Sequence, residues 1–291
     1  MKVLFIKSNM HHKNLNFIMK CKKIQFHIIN SVNEINDIDL DKFDVVMSPC
    51  NLIDVTKYPN IKFIFGPHCC LFPHEKNLQI VKGTNSIYIQ PSSWPIHFWH
   101  MCDKKTTELN LVPFAFGVDT ETFKPIKYCE NSNVFIYFKR RQPYELKLLE
   151  DFLKNRNINY KIFNYINRYD EKEYIDYLQK SKYGIWLDAH ESQGFALEEA
   201  LSCNVPLLVW NVRFMSQEYG SQYEDYPSTT IPYWDERCGE VFFNMNEFEE
   251  KYELFISKLN HYKPREFIIE NLSIDICENK LIDIIYNKFN T

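Results

Sequence analysis

From Asn133 onward the chain repeats one pattern. Short apolar runs, "NVFIYF", "YKIFNY", "YGIWLD" and "PLLVW", alternate with stretches of helical character, around 143 to 156, from 171 to 180 and after Gly194. Three βα units in series imply a parallel sheet with right-handed crossovers. Asp170 and Glu173 have the spacing of a capping box that starts a helix. Asn204, after "EEALSC", stands where a helix must stop and tolerates the left-handed backbone such a stop often needs.

The first half carries strand-like runs at "KVLFIK", "IQFHII", "DVVMSP", "KFIFGP", "SIYIQP" and "LNLVPF", with connections often too short for long helices. It reads as a compact, trimmed α/β domain. Residues 116 to 133 bring prolines and polar residues without helical period and separate the two strand-rich halves. A length of 291 residues with 45% hydrophobic content supports two cores. The expected division is a domain over 1–118, a second over 126–265, and a C-terminal helix over 266–291 that packs back, with the N-terminal domain as a candidate support. That helix sets Ile274, Cys277, Leu281, Ile284 and Ile285 on one face, with Ser273 available as N-cap.

Several classes are excluded early. The seven glycines are too scattered for a G-x-G-x-x-G loop or a P-loop, which argues against the usual dinucleotide-binding and P-loop enzymes. A net charge of -4 lacks the basic face that non-specific nucleic-acid binding needs. No run of 18 apolar residues occurs, and the apolar opening is too short for a signal peptide. Nine cysteines without a C-x-x-C pair fit reduced thiols better than a disulfide framework. A soluble, cytoplasmic protein is the expectation.

The stretch "AHESQGFALEEALSCNVPLLVW" places Glu191 and Glu199 eight positions apart around Gly194. On one continuous helix they would diverge by about 80° and about 12 Å. If the chain turns at Gly194 and the helix starts near Phe195, one carboxylate lies ahead of the helix and the other within it. Both can then face one ligand over the helix N-terminus.

Two stretches in order resemble the retaining family 4 (group 1) glycosyltransferases of GT-B fold: "ESQGFALEEALSCNVP", residues 191 to 206, and "VPFAFGVDTETFKP", residues 112 to 125. The resemblance covers roughly residues 110 to 245, and the first hundred only in pattern. It implies an α/β protein of two Rossmann-like domains, parallel sheets facing across a cleft, the N-terminal domain reduced. It implies transfer of a hexose from a nucleoside-diphosphate sugar to an acceptor hydroxyl with retention, without cofactor or metal. Glu191 would contact the donor sugar and Glu199 the ribose hydroxyls, a vicinal diol that one carboxylate can accept from twice. Where the family has Gly-Phe after the first Glu, this chain has Ser192 and Gln193, which with Gly194 and Phe195 still offer main-chain donors at a helix N-terminus. The Cys-Gly step is Cys203-Asn204, and "KSNMHHKN" stands in place of an N-terminal glycine-rich loop.

"YFKRRQPYELK" ends a strand with Lys139, Arg140 and Arg141, where ligands of open α/β sheets collect. At least one of the three is expected to meet the diphosphate, the other reading being a solvated charge run. His68, in "FIFGPHCC", stands just past a strand, either to hydrogen-bond donor or acceptor or as a structural histidine. His11, His12 and His190 are weaker candidates. His97 and His100 lack partners for zinc, and "DIDLD", residues 37 to 41, reads as the polar end of a connection and not a metal motif. Tyr165 is available to stack on a base or to serve the core. A non-catalytic nucleotide-sugar or glycan binder and a sugar-nucleotide epimerase on the same fold remain the alternatives.

Overall fold

The computed structural model describes residues 1–126, 132–167 and 169–289. Residues 127–131, within the stretch read as a boundary, lie outside the described residues. The chain divides into Met1–Gly117 with Leu272–Thr291, and Val118–Asn271.

The first unit runs β1 (Lys2–Ile6), α1 (His12–Lys20), β2 (Gln25–Ile29), β3 (Val45–Ser48), β4 (Phe63–Phe65), β5 (Ser86–Gln90), α2 (Ser93–Cys102) and β6 (Leu111–Pro113). Its six strands pair in parallel in the order β2-β1-β3-β4-β5-β6. The connections from β2 through β5 hold only 3-10 turns, which is what the short intervening segments predict.

The second unit runs β7 (Asn133–Lys139), α3 (Pro143–Asn155), β8 (Lys161–Asn164), α4 (Glu171–Leu178), β9 (Ser181–Asp188), α5 (Phe195–Ser202), β10 (Leu207–Trp210), β11 (Gly239–Phe242), α6 (Met245–Ser257) and α7 (Pro264–Asn271). Its five strands, again parallel, follow the order β11-β10-β9-β7-β8. Both sheets therefore reverse winding beside their first strand, between β1 and β3 and between β7 and β9.

Local chemistry sets the helix starts. Pro143 opens α3 with a Gln142–Glu145 capping box, fitting a ring whose missing N–H would be unpaired there anyway. The Asp170 carboxylate accepts the Glu173 N–H at 2.8 Å to start α4. Alternate residues of the central strands feed opposite faces. Ile136, Phe138, Ile185, Leu187 and Leu208 pack with Leu149 and Leu153 of α3 and Phe248 and Phe255 of α6. On the other face Tyr137 and Trp186 stack at 4.0 Å, with Tyr174 of α4 beside them.

The C-terminal helix α8 (Ile274–Phe289) belongs to the first unit. Cys277, Leu281 and Ile285 are buried as its apolar period predicts, with Ile274 and Ile284 half-buried at the edges. Glu278 is the departure. It is fully buried, and its carboxylate accepts the backbone N–H groups of Lys22, Lys23 and Ile24 at 3.0, 2.6 and 2.9 Å. A Cβ on Gly117 would lie 2.6 Å from the Ile274 Cα, so only glycine admits the start of α8 there. The chain changes units after α7, later than the expected residue 266. Arg265 keeps α7 with the second unit, donating to the carbonyls of Ser202 at 2.7 Å, Phe123 at 3.0 Å and Thr120 at 3.1 Å.

Among the described residues no helix is long and apolar enough to cross a membrane.

Candidate functional site at the β7–β9 switch point

Ligands of doubly wound sheets bind outside the carboxyl ends of the strands, where winding reverses. In the second unit that point is flanked by the last residues of β7 and β9, and Lys139 and Asp188 are register partners there. Beyond Lys139 the chain takes a positive φ of 50° at Arg140. Arg141 then turns inward.

Arg141 is 1% exposed. It donates to Glu145 at 2.9 and 2.6 Å, to the Trp210 carbonyl at 3.0 Å and to the Asp188 carbonyl at 3.3 Å. Its guanidinium braces the strand ends from within. Of the three cations of which at least one is expected at the diphosphate, Arg141 is thus the one turned into the core. Arg140, half exposed, pairs with Glu218 at 3.4 Å, and Lys139 pairs with Glu191 while its ammonium lies 4.6 Å from the Tyr165 ring centroid.

Beyond β9 the loop is tied to the segment after β10. Glu191 N–H donates to the Thr229 carbonyl at 3.0 Å, and the Thr230 hydroxyl to the Asp188 carbonyl at 3.2 Å. Gly194 then adopts φ 96°, ψ 45° and caps α5, which begins at Phe195. The turn and helix start are those that the Glu191–Glu199 spacing requires. Glu191 stands in the loop and Glu199 inside the helix, 4% exposed. Ser192 is exposed and Gln193 buried.

Glu198, which sequence alone leaves on a solvated helix face, is fully buried, and its carboxylate accepts the Gln193 side-chain amide at 3.0 Å. α7 packs against α5, whose residues from Leu197 to Ser202 are all buried. Glu199 is near enough to the phenols of Tyr169 and Tyr174 to add to the rise that burial imposes on both.

The electrostatics are those of charges crowded out of water. Burial alone would lower the Lys139 ammonium, but Asp188 and Glu191 hold it above the lysine range. Burial alone would raise Glu191, yet Lys139 beside it brings the carboxyl below its ordinary value. Asp188 goes the other way. Its burial pushes the carboxyl well above the usual range against the pull of Lys139, with Glu191 adding to the rise. His190 is lowered to about 4 by burial, and burial raises Glu218, which lies 3.5 Å from the His190 Nδ1.

Asp188 and Glu218 are the site residues that sequence reasoning missed. The signal for Asp188 was present: a carboxylate closes the apolar run "YGIWLD" at the carboxyl end of a parallel strand. Glu218 had none, because a long connection brings it to Arg140.

His68 lies in the first unit, exposed past β4, with its N–H donating to the Pro49 carbonyl at 2.9 Å. At that unit's own switch point Ser8 donates to the Asn51 side-chain oxygen at 2.5 Å. His11 caps α1, its Nδ1 accepting from Lys13 N–H at 3.3 Å. Asp37, Asp39 and Asp41 are exposed in the connection before β3. Among the described residues no group of three or more His, Cys, Asp or Glu is placed to hold a metal ion.

No family model matches the sequence, and no curated protein matches it. Solved structures do match. The chain is similar to the lipopolysaccharide outer core galactosyltransferase WaaB, at 12% identity and TM-score 0.54, covering 99% of this chain and 100% of that one. It is similar to WaaG, a glycosyltransferase involved in lipopolysaccharide biosynthesis, at 9% identity and TM-score 0.50, with 99% and 100% covered. The N-terminal domain of Candida albicans trehalose-6-phosphate phosphatase matches at 9% identity and TM-score 0.61, with 99% and 97% covered. Identities this low speak for architecture. With two parallel-stranded α/β units, the chain has the GT-B fold shared by group 1 glycosyltransferases.

Proposed function

We propose that the protein is a retaining glycosyltransferase that takes a hexose from a nucleoside-diphosphate sugar and transfers it to an acceptor hydroxyl. The observation that carries the reading is the Lys139–Glu191 pair at the switch point of the second sheet, directly ahead of the N-terminus of α5. A cation and helix N–H groups attract phosphate oxygens, while carboxyl oxygens accept sugar hydroxyls. Lys139 and Arg140 meet the diphosphate, and the main chain of Ser192 to Phe195 adds donors. Glu191 holds the transferred sugar, and Glu199 the ribose. His68 serves the acceptor hydroxyl.

Chemistry in this scheme is positioning together with stabilisation of charge on the departing diphosphate. No nucleophile on the protein is needed, and the leaving phosphate takes the acceptor proton. Neutralisation of the diphosphate falls to Lys139, Arg140 and α5.

A panel of UDP-, GDP- and ADP-sugars read by thermal shift tests the reading, since a ligand bound to the native state raises its melting temperature. One donor class is expected to stabilise the protein and to release or transfer its sugar. Stabilisation without sugar chemistry under any acceptor identifies a binder, and an epimerised sugar released without acceptor identifies an epimerase. A panel without effect overturns the proposal.

A further inference from the structure

The two carboxyls at the switch point share one cation. Lys139 and Asp188 are register partners at the ends of β7 and β9, Glu191 pairs with the Lys139 ammonium, and Asp188 and Glu191 lie close enough for each carboxyl to act on the other. Asp188 also accepts the Ala189 N–H at 2.7 Å and is 1% exposed. No sequence argument assigned Asp188 a role.

Two ionised carboxylates held together out of water repel, and one of them keeps its proton unless a second cation arrives. The other charged groups do not supply it. From the β7 end, Arg141 gives the Asp188 carbonyl a bond but pairs its charge with Glu145. Arg140 faces Glu218. Tyr137, on the same strand, is close enough for Asp188 to raise it further beyond what burial does. His190, from the β9 loop, is held neutral by burial.

A phosphate arriving at Lys139 changes this balance. The ammonium turns from Glu191 toward the ligand, and Glu191 is left beside both Asp188 and an anion. We infer that Asp188 and Glu191 form a proton-binding pair, and that a nucleoside diphosphate captured by Lys139 adds a second proton, taken from solvent, to it. The free site holds a cationic Lys139, an ionised Glu191 and a protonated Asp188. The occupied site holds both carboxyls protonated, with Lys139 balanced by phosphate. Asp188, 1% exposed, is a positioning residue in this scheme, since it acts through Glu191.

The inference rests on the reading above, and calorimetry of the full-length protein with UDP and with GDP separates the two. Titrations run from mildly acidic to mildly alkaline pH, in buffers of different ionisation enthalpy. Uptake of up to about one proton is expected, so that Kd rises by up to about ten-fold per pH unit. Glu191→Gln should keep only the slope below neutral pH that the terminal phosphate of the nucleotide, with its second pKa of about 6, imposes by itself. Infrared spectra of the free protein should show a carboxylic-acid C=O band at neutral pH that Asp188→Asn removes and that nucleotide strengthens in the wild type. Binding without proton uptake, a Glu191→Gln variant with the wild-type slope, or a free protein without that band overturns the inference alone. Absence of binding by both nucleotides overturns it together with the proposed function. Should Asp188→Asn fail to fold, the wild-type spectra and the Glu191→Gln slope decide the matter.

Discussion

Lys139 and Asp188 face each other as the last register pair of β7 and β9, at the point where the second sheet reverses its winding. Their strands run parallel, so both side chains emerge at the same carboxyl end. Everything proposed for the site follows from that pairing, with Glu191 folded back onto Lys139.

Lys139→Met should weaken binding of the diphosphate and destabilise the fold together. Removing the cation takes the ion pair away from Glu191, a carboxylate held largely out of water. A cost of about 2 kcal/mol is expected, less than the ~3–5 of a fully buried pair because both side chains keep some exposure. Urea denaturation measures it, and nucleotide affinity should fall by at least about ten-fold.

Glu191→Ala is expected to depress kcat, and Glu199→Gln chiefly to raise the donor KM. For Glu199 a charge-assisted hydrogen bond is worth roughly 1.5 to 3 kcal/mol, about ten-fold to a hundred-fold in KM, and for Glu191, neutral once the diphosphate is bound, roughly 0.5 to 1.5 kcal/mol, about two-fold to ten-fold in kcat. Steady-state kinetics with the donor found by the panel separates these effects, and unchanged constants in both variants would refute the roles.

Gly194→Ala probes the turn between the two glutamates. Space is adequate, since an added Cβ would meet the Glu191 Cβ at 3.7 Å and the Thr230 carbonyl oxygen at 3.9 Å. The backbone is the obstacle, because φ 96° is disfavoured for any residue with a Cβ. A stability loss of about 1–2 kcal/mol is expected, with a larger loss of turnover as Glu191 shifts.

His190 predicts an acid-side weakness. Its folded value of about 4 lies below the ordinary 6.5, so the unfolded chain binds more protons between those limits. Stability from the neutral imidazole is present above pH 6.5 and is lost as pH falls toward 4. At pH 5 the loss from this group amounts to about 2 kcal/mol. Glu218, raised in the fold, offsets part of it, because its protonation favours the folded state as pH falls. Melting curves from pH 7 to pH 5 should therefore fall less steeply for His190→Gln than for the wild type.

Glu278→Ala should loosen α8 from the first unit. Three N–H groups at the turn from α1 to β2 lose their acceptor, at about 1–3 kcal/mol for each that stays buried. Limited proteolysis should cut the C-terminal helix of the variant earlier than that of the wild type.

Much of this was legible in the sequence because it depends on neighbours along the chain. Apolar runs of strand length alternating with helical periods identify parallel sheets, and the glycine between Glu191 and Glu199 locates the turn that separates them. These are short-range properties of backbone conformation and side-chain spacing. The partners of charged residues are not. Arg141 and Arg140 are adjacent in sequence, yet one is sealed against Glu145 and the other reaches Glu218. Glu198 and Glu278 look like solvated helix positions, yet one meets the Gln193 amide in the interior and the other the N–H groups of the α1–β2 turn. Only the tertiary structure decided which charges left water, because desolvation depends on what other segments pack above a residue and not on the residue itself.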